Sequence, residues 1–528
     1  MLNVTQMAPE AERRWPGQVK AWVDRRKPVC ELRPVVSGIL PEIAKWLAVD
    51  LRYRFAGLIV EEHQTEWEFR CLFYARKEPG WTHLLFRQPL DARTMPSISL
   101  QVHAADWHER EAEDLSGINF EGHPRLGDFV LHNDLWQEAV APMRHGFDER
   151  SALAARAPDT EWRPRRIVQD PGAFVMPVGP IYSGVTESVH FLLETVGEDV
   201  IRAFPRLFYK YRGIEKTAEG KSVDQCLLLA ERFAATTAFS HALAFCQAVE
   251  AICRVKVPPR ARTLRVLFSE LERFRHHAGV IQEICESTAL TVAANEAAIL
   301  EEDLLRLSCS LAGHRYLFGI AIPGGLSCDF SDSACREASQ KATEILTNLQ
   351  MLERQLRYSS SFLDRLEDVG IISEEHARQF GLVGPIARAS GLKGDMRKAQ
   401  PYSGYERFAF GVPLETEGDG FARLRVLFAE AAESVGLMKQ AANALESGEV
   451  CASVTLQPGV ALGWVEAPRG ATFHWTRLGA GGVIERYHPI TPSFVNWHGF
   501  HLAAENFAFQ DFPIILATFG LSVAENDR

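Results

Sequence analysis

Four helical stretches in succession, about Val223 to Cys253, Pro259 to Cys285, Leu290 to Phe318 and Ser333 to Ser359, occupy the middle of the chain. Helices of that length with an apolar face must bury it against one another, which makes a bundle the centre of the fold. Pro258 and Pro259 mark where the second begins, because proline cannot donate inside a helix but fits its first turn. Short strand-like pieces bracket the bundle. Upstream lies a β region over Phe174 to Glu198; downstream Gly459 to Val465 and Ala471 to Arg477 flank the turn Glu466-Ala467-Pro468-Arg469-Gly470.

The first part mixes a helical stretch, Ile39 to Ala48, with alternating segments at Glu66 to Tyr74, Thr82 to Phe86 and Ser97 to Val102. A polar stretch holding Pro158, Pro164 and Pro171 without apolar periodicity then reads as a linker. The expectation is the α+β class: an α+β domain over residues 1–147, a linker over 148–172, and a mainly α-helical domain with small β pieces at both ends over 173–528. A chain of 528 residues exceeds what one core supports, in keeping with two or three domains. No internal repeat is visible.

A formal charge of -11 gives no electrostatic reason to bind nucleic acid. The apolar run Phe512 to Ala524 falls short of the roughly 20 residues a membrane-spanning helix needs. Glu10, Glu12, Arg13 and Arg14 lack the apolar run of a secretory signal, so a cytoplasmic, reducing location is expected. The ten cysteines never form a C-x-x-C pair and read as buried thiols, not as metal ligands or disulfides. There is no G-x-G-x-x-G loop for a dinucleotide such as NAD.

The stretch Trp107-His108-Glu109-Arg110-Glu111-Ala112-Glu113-Asp114-Leu115-Ser116-Gly117-Ile118, followed by Phe120-Glu121-Gly122-His123-Pro124, reads by itself as a charged helix face and a turn. It also resembles the signature of the C-type subunit of respiratory complex I, a docking subunit without a cofactor, although Ser116 stands where a bulkier residue is usual. Farther on, Gly179-Pro180, Val189-His190-Phe191, Arg212-Gly213-Ile214-Glu215-Lys216, Val257-Pro258-Pro259-Arg260-Ala261, Glu270-Leu271-Glu272-Arg273, Gly384-Pro385, Ala387-Arg388-Ala389-Ser390-Gly391, Pro401-Tyr402, Glu417-Gly418-Asp419 and Glu466-Ala467-Pro468-Arg469-Gly470 follow in one order. That order resembles the D-type subunit of complex I and the large subunit of formate hydrogenlyase and related membrane-bound NiFe hydrogenases. The two likenesses together span nearly the whole chain.

In the hydrogenase members two C-x-x-C pairs hold the nickel-iron centre, since soft thiolates suit those metals. The resemblance puts Ala234 and Thr237 at the first pair, with His241 following, and Ser522 and Glu525 at the second, so no metal is expected on this chain. Ala234, Thr237 and His241 are expected on one helical face. The sequence then ends without the tail that such hydrogenases often carry. In complex I a loop histidine and a bundle tyrosine hold a quinone; here those places fall at Tyr182 and near Ala234 and Ala235. Glu215 matches a carboxylate that passes protons in hydrogenases, and its alternative is an ion pair with Arg212 or Lys216.

Candidate catalytic or acceptor-pocket residues are therefore Glu215, His241 and Tyr182, with His190 and Arg388 as candidate cofactor contacts. Glu270, Glu272, Arg273, His276 and His277 read as a solvated or interfacial charge cluster, and Arg388, Asp395 and Arg397 as contacts to a membrane partner. The resemblance implies an iron-sulfur small subunit like the complex I B subunit, a ferredoxin-like iron-sulfur subunit and antiporter-like membrane subunits. It also implies attachment to the inner face of the cell membrane through those partners. Two functional classes remain open: a module where quinone or another acceptor is reduced, and a non-catalytic scaffold or coupling subunit derived from a hydrogenase. An active hydrogenase would carry about one nickel per chain.

Overall fold

The computed structural model describes residues 2–24, 28–76, 78–136, 140–154, 156, 159–163, 168–169, 171–182 and 187–528. The first part is a five-stranded sheet of β1 (Val19–Asp24), β2 (Val29–Pro34), β3 (Arg54–Glu62), β4 (Glu66–Tyr74) and β5 (Trp81–Pro89), in the order β1-β2-β5-β4-β3. All its pairs are antiparallel except β2 with β5. β4 matches its expected span, but Ser97 to Val102 is no strand; the chain pairs just before it, where β6 (Thr94–Pro96) lies parallel to β7 (Asn119–Glu121). Between those two runs helix α1 (Asp106–Ser116), which ends at Gly117 in the left-handed conformation that glycine adopts without strain.

Pro158 and Pro164 lie outside the described residues; within the expected linker a short helix forms at Glu149–Ala154. Strands β8 (Ala173–Val178), β9 (His190–Val196) and β10 (Asp199–Arg206) then build an antiparallel sheet that a distant strand joins at β10. The bundle comprises α2 (Val223–Arg232), α3 (Ala238–Cys253), α4 (Pro259–Ser287), α5 (Thr291–Ala312), α6 (Asp332–Leu356) and α7 (Gly420–Asn443), with a small hairpin of β11 (Ala321–Ile322) and β12 (Gly325–Leu326) between α5 and α6. α5 stops before Phe318 because Gly313 turns left-handed and ends the helix.

The expected C-terminal hairpin forms as β13 (Gly459–Ala467) and β14 (Gly470–Leu478), and β15 (Ile484–Ile490) extends it. Helix α8 (Pro492–Ala503), the strand β16 (Glu505–Ala508) that joins β10, and α9 (Val523–Asn526) complete the chain. The α+β class therefore holds. Among the described residues no helix is long and apolar enough to cross a membrane. Most cysteines are buried or half-buried, but Cys309 and Cys328 are exposed, contrary to the expectation of buried thiols.

One apolar core lies wholly before residue 121. A second joins the bundle and the β13–β15 sheet to Ile59, Leu72, Tyr74 and Trp81 of the first sheet. A third brings Trp107 and Leu115 of α1 together with Phe191, Phe494 and Phe519. The two ends of the sequence thus pack on each other, and Arg477 of β14 donates to Glu61 of β3 at 2.7 and 3.0 Å.

Strand β13 lies so close to α3 that a Cβ at Gly463 would meet the Ala244 carbonyl oxygen at 1.9 Å. Gly463→Ala is therefore expected to lower stability by about 1–3 kcal/mol through overpacking, read as a lower urea midpoint with an unchanged slope.

Candidate functional site

The expected helix Val223 to Cys253 is broken, and the break builds the site. α2 starts with a capping box, Ser222 with Gln225, and ends at Arg232; the backbone of Ala234 leaves the helical region at φ -137° and ψ 83°. α3 then begins anew with its end capped from another helix. The Phe239 and Ser240 N–H groups donate to the buried Glu272 carboxylate of α4 at 2.7 and 3.0 Å. A carboxylate there satisfies orphaned donors and complements the helix dipole. Ala234, Thr237 and His241 thus do not share one helical face, because a tertiary cap overrides local helix propensity.

At the other end Ser522 caps α9, its Oγ accepting from the Glu525 N–H at 3.1 Å. This presents the Glu525 side chain, fully buried, to the start of the bundle. Its carboxylate accepts from Thr237 Oγ1 at 2.9 Å, from Ser493 N at 3.2 Å and from Ser493 Oγ. Arg469, in the β13–β14 turn, stands 3.5 Å away and is itself fixed by donating to the Gly520 carbonyl at 2.8 Å.

His241 Nε2 lies 3.1 Å from the same carboxylate, His241 Nδ1 lies 3.1 Å from His474 Nε2, and His474 Nδ1 lies 3.0 Å from the Tyr487 hydroxyl. One set of neutral tautomers satisfies the row: each imidazole donates from Nε2 toward Glu525 and accepts at Nδ1, with Tyr487 donating at the far end. Burial by itself would raise the Glu525 pKa, but Arg469 and the His241 contact outweigh it and hold the carboxyl at about 2.

A second buried group lies alongside. Arg528 donates from Nε to Glu215 at 2.7 Å and from Nη2 to Glu111 of α1, with its guanidinium 5.0 Å above the Phe494 ring. One cation serves two carboxylates in a dry setting; burial, with Glu215 near, pushes Glu111 up to about 7 in spite of the guanidinium. Glu215 does form an ion pair, but not with the expected neighbours. Arg212 donates to the carbonyls of Phe233 and Ala524, and Lys216 pairs with Glu219.

Residues 35–152 match the family model described as the respiratory-chain NADH dehydrogenase 30 Kd subunit, and residues 288–458 match that of the 49 Kd subunit. This chain belongs to the fused 30 kDa and 49 kDa (C/D) family of complex I subunits. Among its relatives, formate hydrogenlyase subunit 5 of Escherichia coli is 28% identical over 94% of this chain and 88% of its own length. Hydrogenase-4 component G of the same organism is 26% identical over 96% and 89%. The C/D-type subunit of NADH-quinone oxidoreductase from Methylococcus capsulatus is 25% identical over 82% and 81%.

In this C/D-type chain the residues singled out from the sequence fall into separate groups. His241 joins Glu525, while Glu215 joins Arg528. Tyr182 follows β8 and spends its hydroxyl on the carbonyls of Val189 at 2.8 Å and Val178 at 3.3 Å. His190 opens β9, where its Nδ1 meets the Tyr209 hydroxyl at 3.0 Å. Arg388 is fully buried, paired with Glu430 at 2.5 Å and Glu466 at 2.8 Å.

Asp395 and Arg397 are buried as a pair, and Arg397 also reaches Glu270 at 2.9 Å, so these side chains face the interior and not a membrane partner. Glu270, Glu272, Arg273, His276 and His277 are likewise buried on α4, which corrects their reading as a solvated cluster. Their charges are matched from other elements: Glu270 accepts from Tyr405 and Ser434, and His277 contacts Glu430. The sequence reading missed His474, Tyr487, Ser493 and Arg528. No local pattern marks them, since each acts across a fold-level contact.

The depressed Glu525 pKa fixes a sign for stability. Its contribution is complete above the unfolded value of about 4.5 and fades as pH falls toward 2. Glu525→Gln is expected to lower stability near pH 7 by about 3 kcal/mol, and urea titrations should show the gap to wild type closing between pH 4.5 and 2.

Proposed function

We propose that this chain is the large peripheral-arm subunit of a membrane-associated oxidoreductase complex of the complex I and formate hydrogenlyase kind, acting without a nickel-iron centre of its own. Within that complex it serves as scaffold and coupling element between an electron-carrying module and the membrane arm. The names of its relatives, formate hydrogenlyase subunit 5 and the C/D-type subunit of NADH-quinone oxidoreductase, support the kind of complex. The partners proposed are an iron-sulfur small subunit like the complex I B subunit, a ferredoxin-like iron-sulfur subunit and antiporter-like membrane subunits, which would hold the chain at the inner face of the cell membrane. A docking part over about residues 1–147 and a large-subunit part over about 173–528 go with this reading.

The observation that carries the absence of a metal is the state of Glu525. The four positions that the resemblance assigns to thiolates hold Ala234, Thr237, Ser522 and Glu525. Ala234 has no donor atom, Thr237 gives its hydroxyl proton to Glu525, and Ser522 gives its own to Glu187 at 3.0 Å. Glu525 is already neutralised by Arg469 and bound by Ser493. Hard oxygens that are committed to one another do not fit a soft, thiolate-seeking centre.

Reduction of a quinone between Tyr182 and His241 has less support, because both side chains are engaged by the protein itself and belong to different groups. Purified complex is expected to contain no nickel attributable to this chain and to show no hydrogen-dependent dye reduction. Tyr182→Phe is expected to assemble and to leave electron transfer at the wild-type rate. About one nickel per chain with hydrogen-dependent activity, or loss of electron transfer in an assembled Tyr182→Phe complex, would contradict the proposal.

A further inference from the structure

We propose that His103, Asp106 and His498 form a binding site for a divalent transition cation, with zinc the natural probe, at the seam between the N-terminal and C-terminal parts of the chain. His103 lies in the turn that leads into α1, Asp106 is the first residue of α1, and His498 comes from the middle of α8. One ligand atom of each lies within 4.8 Å of the other two. His498 Nε2 stands 3.1 Å from Asp106 Oδ2. Ligand atoms that share a zinc at about 2.0–2.2 Å are separated by roughly 3.0–3.5 Å, so little movement would close the set. Two imidazoles and a carboxylate, with positions left for solvent, suit zinc or another borderline divalent ion.

The surroundings favour an ion over a plain His–Asp pair. Asp106 is almost wholly buried, yet its Oδ1 has no aligned hydrogen-bond partner; His123 Nε2 comes to 2.9 Å without the geometry of a hydrogen bond. His123 is not counted as a ligand. Its Nδ1 accepts from the Arg125 N–H at 3.0 Å, which leaves the proton on Nε2, so it faces Asp106 with an N–H dipole at 2.9 Å that is not an aligned hydrogen bond. Two guanidinium groups act on Asp106: Arg125, 3.8 Å away and half exposed, and the buried Arg110, which donates to the carbonyls of Gly127 and Asp128.

Among the described residues no hydrogen-bond partner engages the His103 ring. A second three-residue group of this kind among the described residues, Glu61 with His63 and Glu68, differs in this respect, for Arg477, Arg70 and Arg87 already neutralise its carboxylates. His498 is also held in place, its ring tilted against His103 and Trp107 with centroids 5.2 Å away in each case.

The two imidazoles face different clefts. His103 lines a cleft of about 730 Å³ beside Glu374 and Gln101, and His498 lines another of about 770 Å³ beside Trp107 and Arg206. A bound ion would clamp residues 103–106 to residue 498, adding to the apolar packing and to the Arg477–Glu61 and Arg528–Glu111 pairs that already cross this junction. This inference does not depend on the proposed function and concerns a different part of the molecule.

The test uses the full chain in its purified complex, dialysed against zinc with a weak competing chelator, and zinc counted per chain in wild type, His103→Ala, Asp106→Asn and His123→Gln. Wild type is expected to retain one zinc more per chain than His103→Ala or Asp106→Asn, and added zinc to raise the melting temperature of wild type but not of those two. His123→Gln keeps all three ligands and is expected to weaken zinc binding by about 10–100-fold. His103 is exposed, so His103→Ala keeps the fold and decides the matter if Asp106→Asn does not fold. Equal zinc content and equal zinc-induced stabilisation in wild type and His103→Ala would leave only a hydrogen-bonded His–Asp pair and overturn the proposal.

Discussion

A carboxylate with no exposure to water costs several kcal/mol to bury unless its surroundings replace the hydration it gives up. Glu525 meets that condition with groups drawn from four separate elements: Thr237 at the break between α2 and α3, His241 on α3, Arg469 in the β13–β14 turn and Ser493 on α8. None of these is near it in sequence. The charge can therefore be satisfied only when the start of the bundle, the C-terminal sheet and the last helix are all in place. Removing one member strands the others, which is why such networks specify a single arrangement even where their net stabilisation is modest.

The same principle recurs elsewhere in the interior. Arg388 links Glu430 and Glu466, Arg397 links Asp395 and Glu270, and Arg528 links Glu215 and Glu111. Arginine suits these places because its planar fork serves two acceptors at once and stays charged when buried. The Arg528 group matters for the assembly of the chain as a whole. It ties α1 to the segment that opens at Gly213 and to Arg528.

Periodicity made the bundle, the β4 strand and the β13–β14 hairpin legible in the sequence, and the ordered motifs made the family legible. What escaped follows one physical pattern. The interruption at Ala234 to Thr237 was hidden because its cause, the Glu272 cap, lies on another helix. The charges of α4 read as solvated because a run of Glu, Arg and His looks the same whether its partners are water or distant arginines and carboxylates. For Glu215 an ion pair with Arg212 or Lys216 was one of two readings, and the partner found, Arg528, stands 313 positions away. Local rules find elements; partners across the fold decide which charges are buried.

The central claim is that protein side chains, not a metal cluster, fill the place where the bundle meets the last helix. An anomalous-scattering map of the assembled complex at the nickel edge tests it most directly. The account predicts continuous density along Glu525, His241, His474 and Tyr487, with no anomalous peak among Ala234, Thr237, Ser522 and Glu525. A nickel peak at that place, with the Thr237 to Glu525 contact opened around it, would contradict the account.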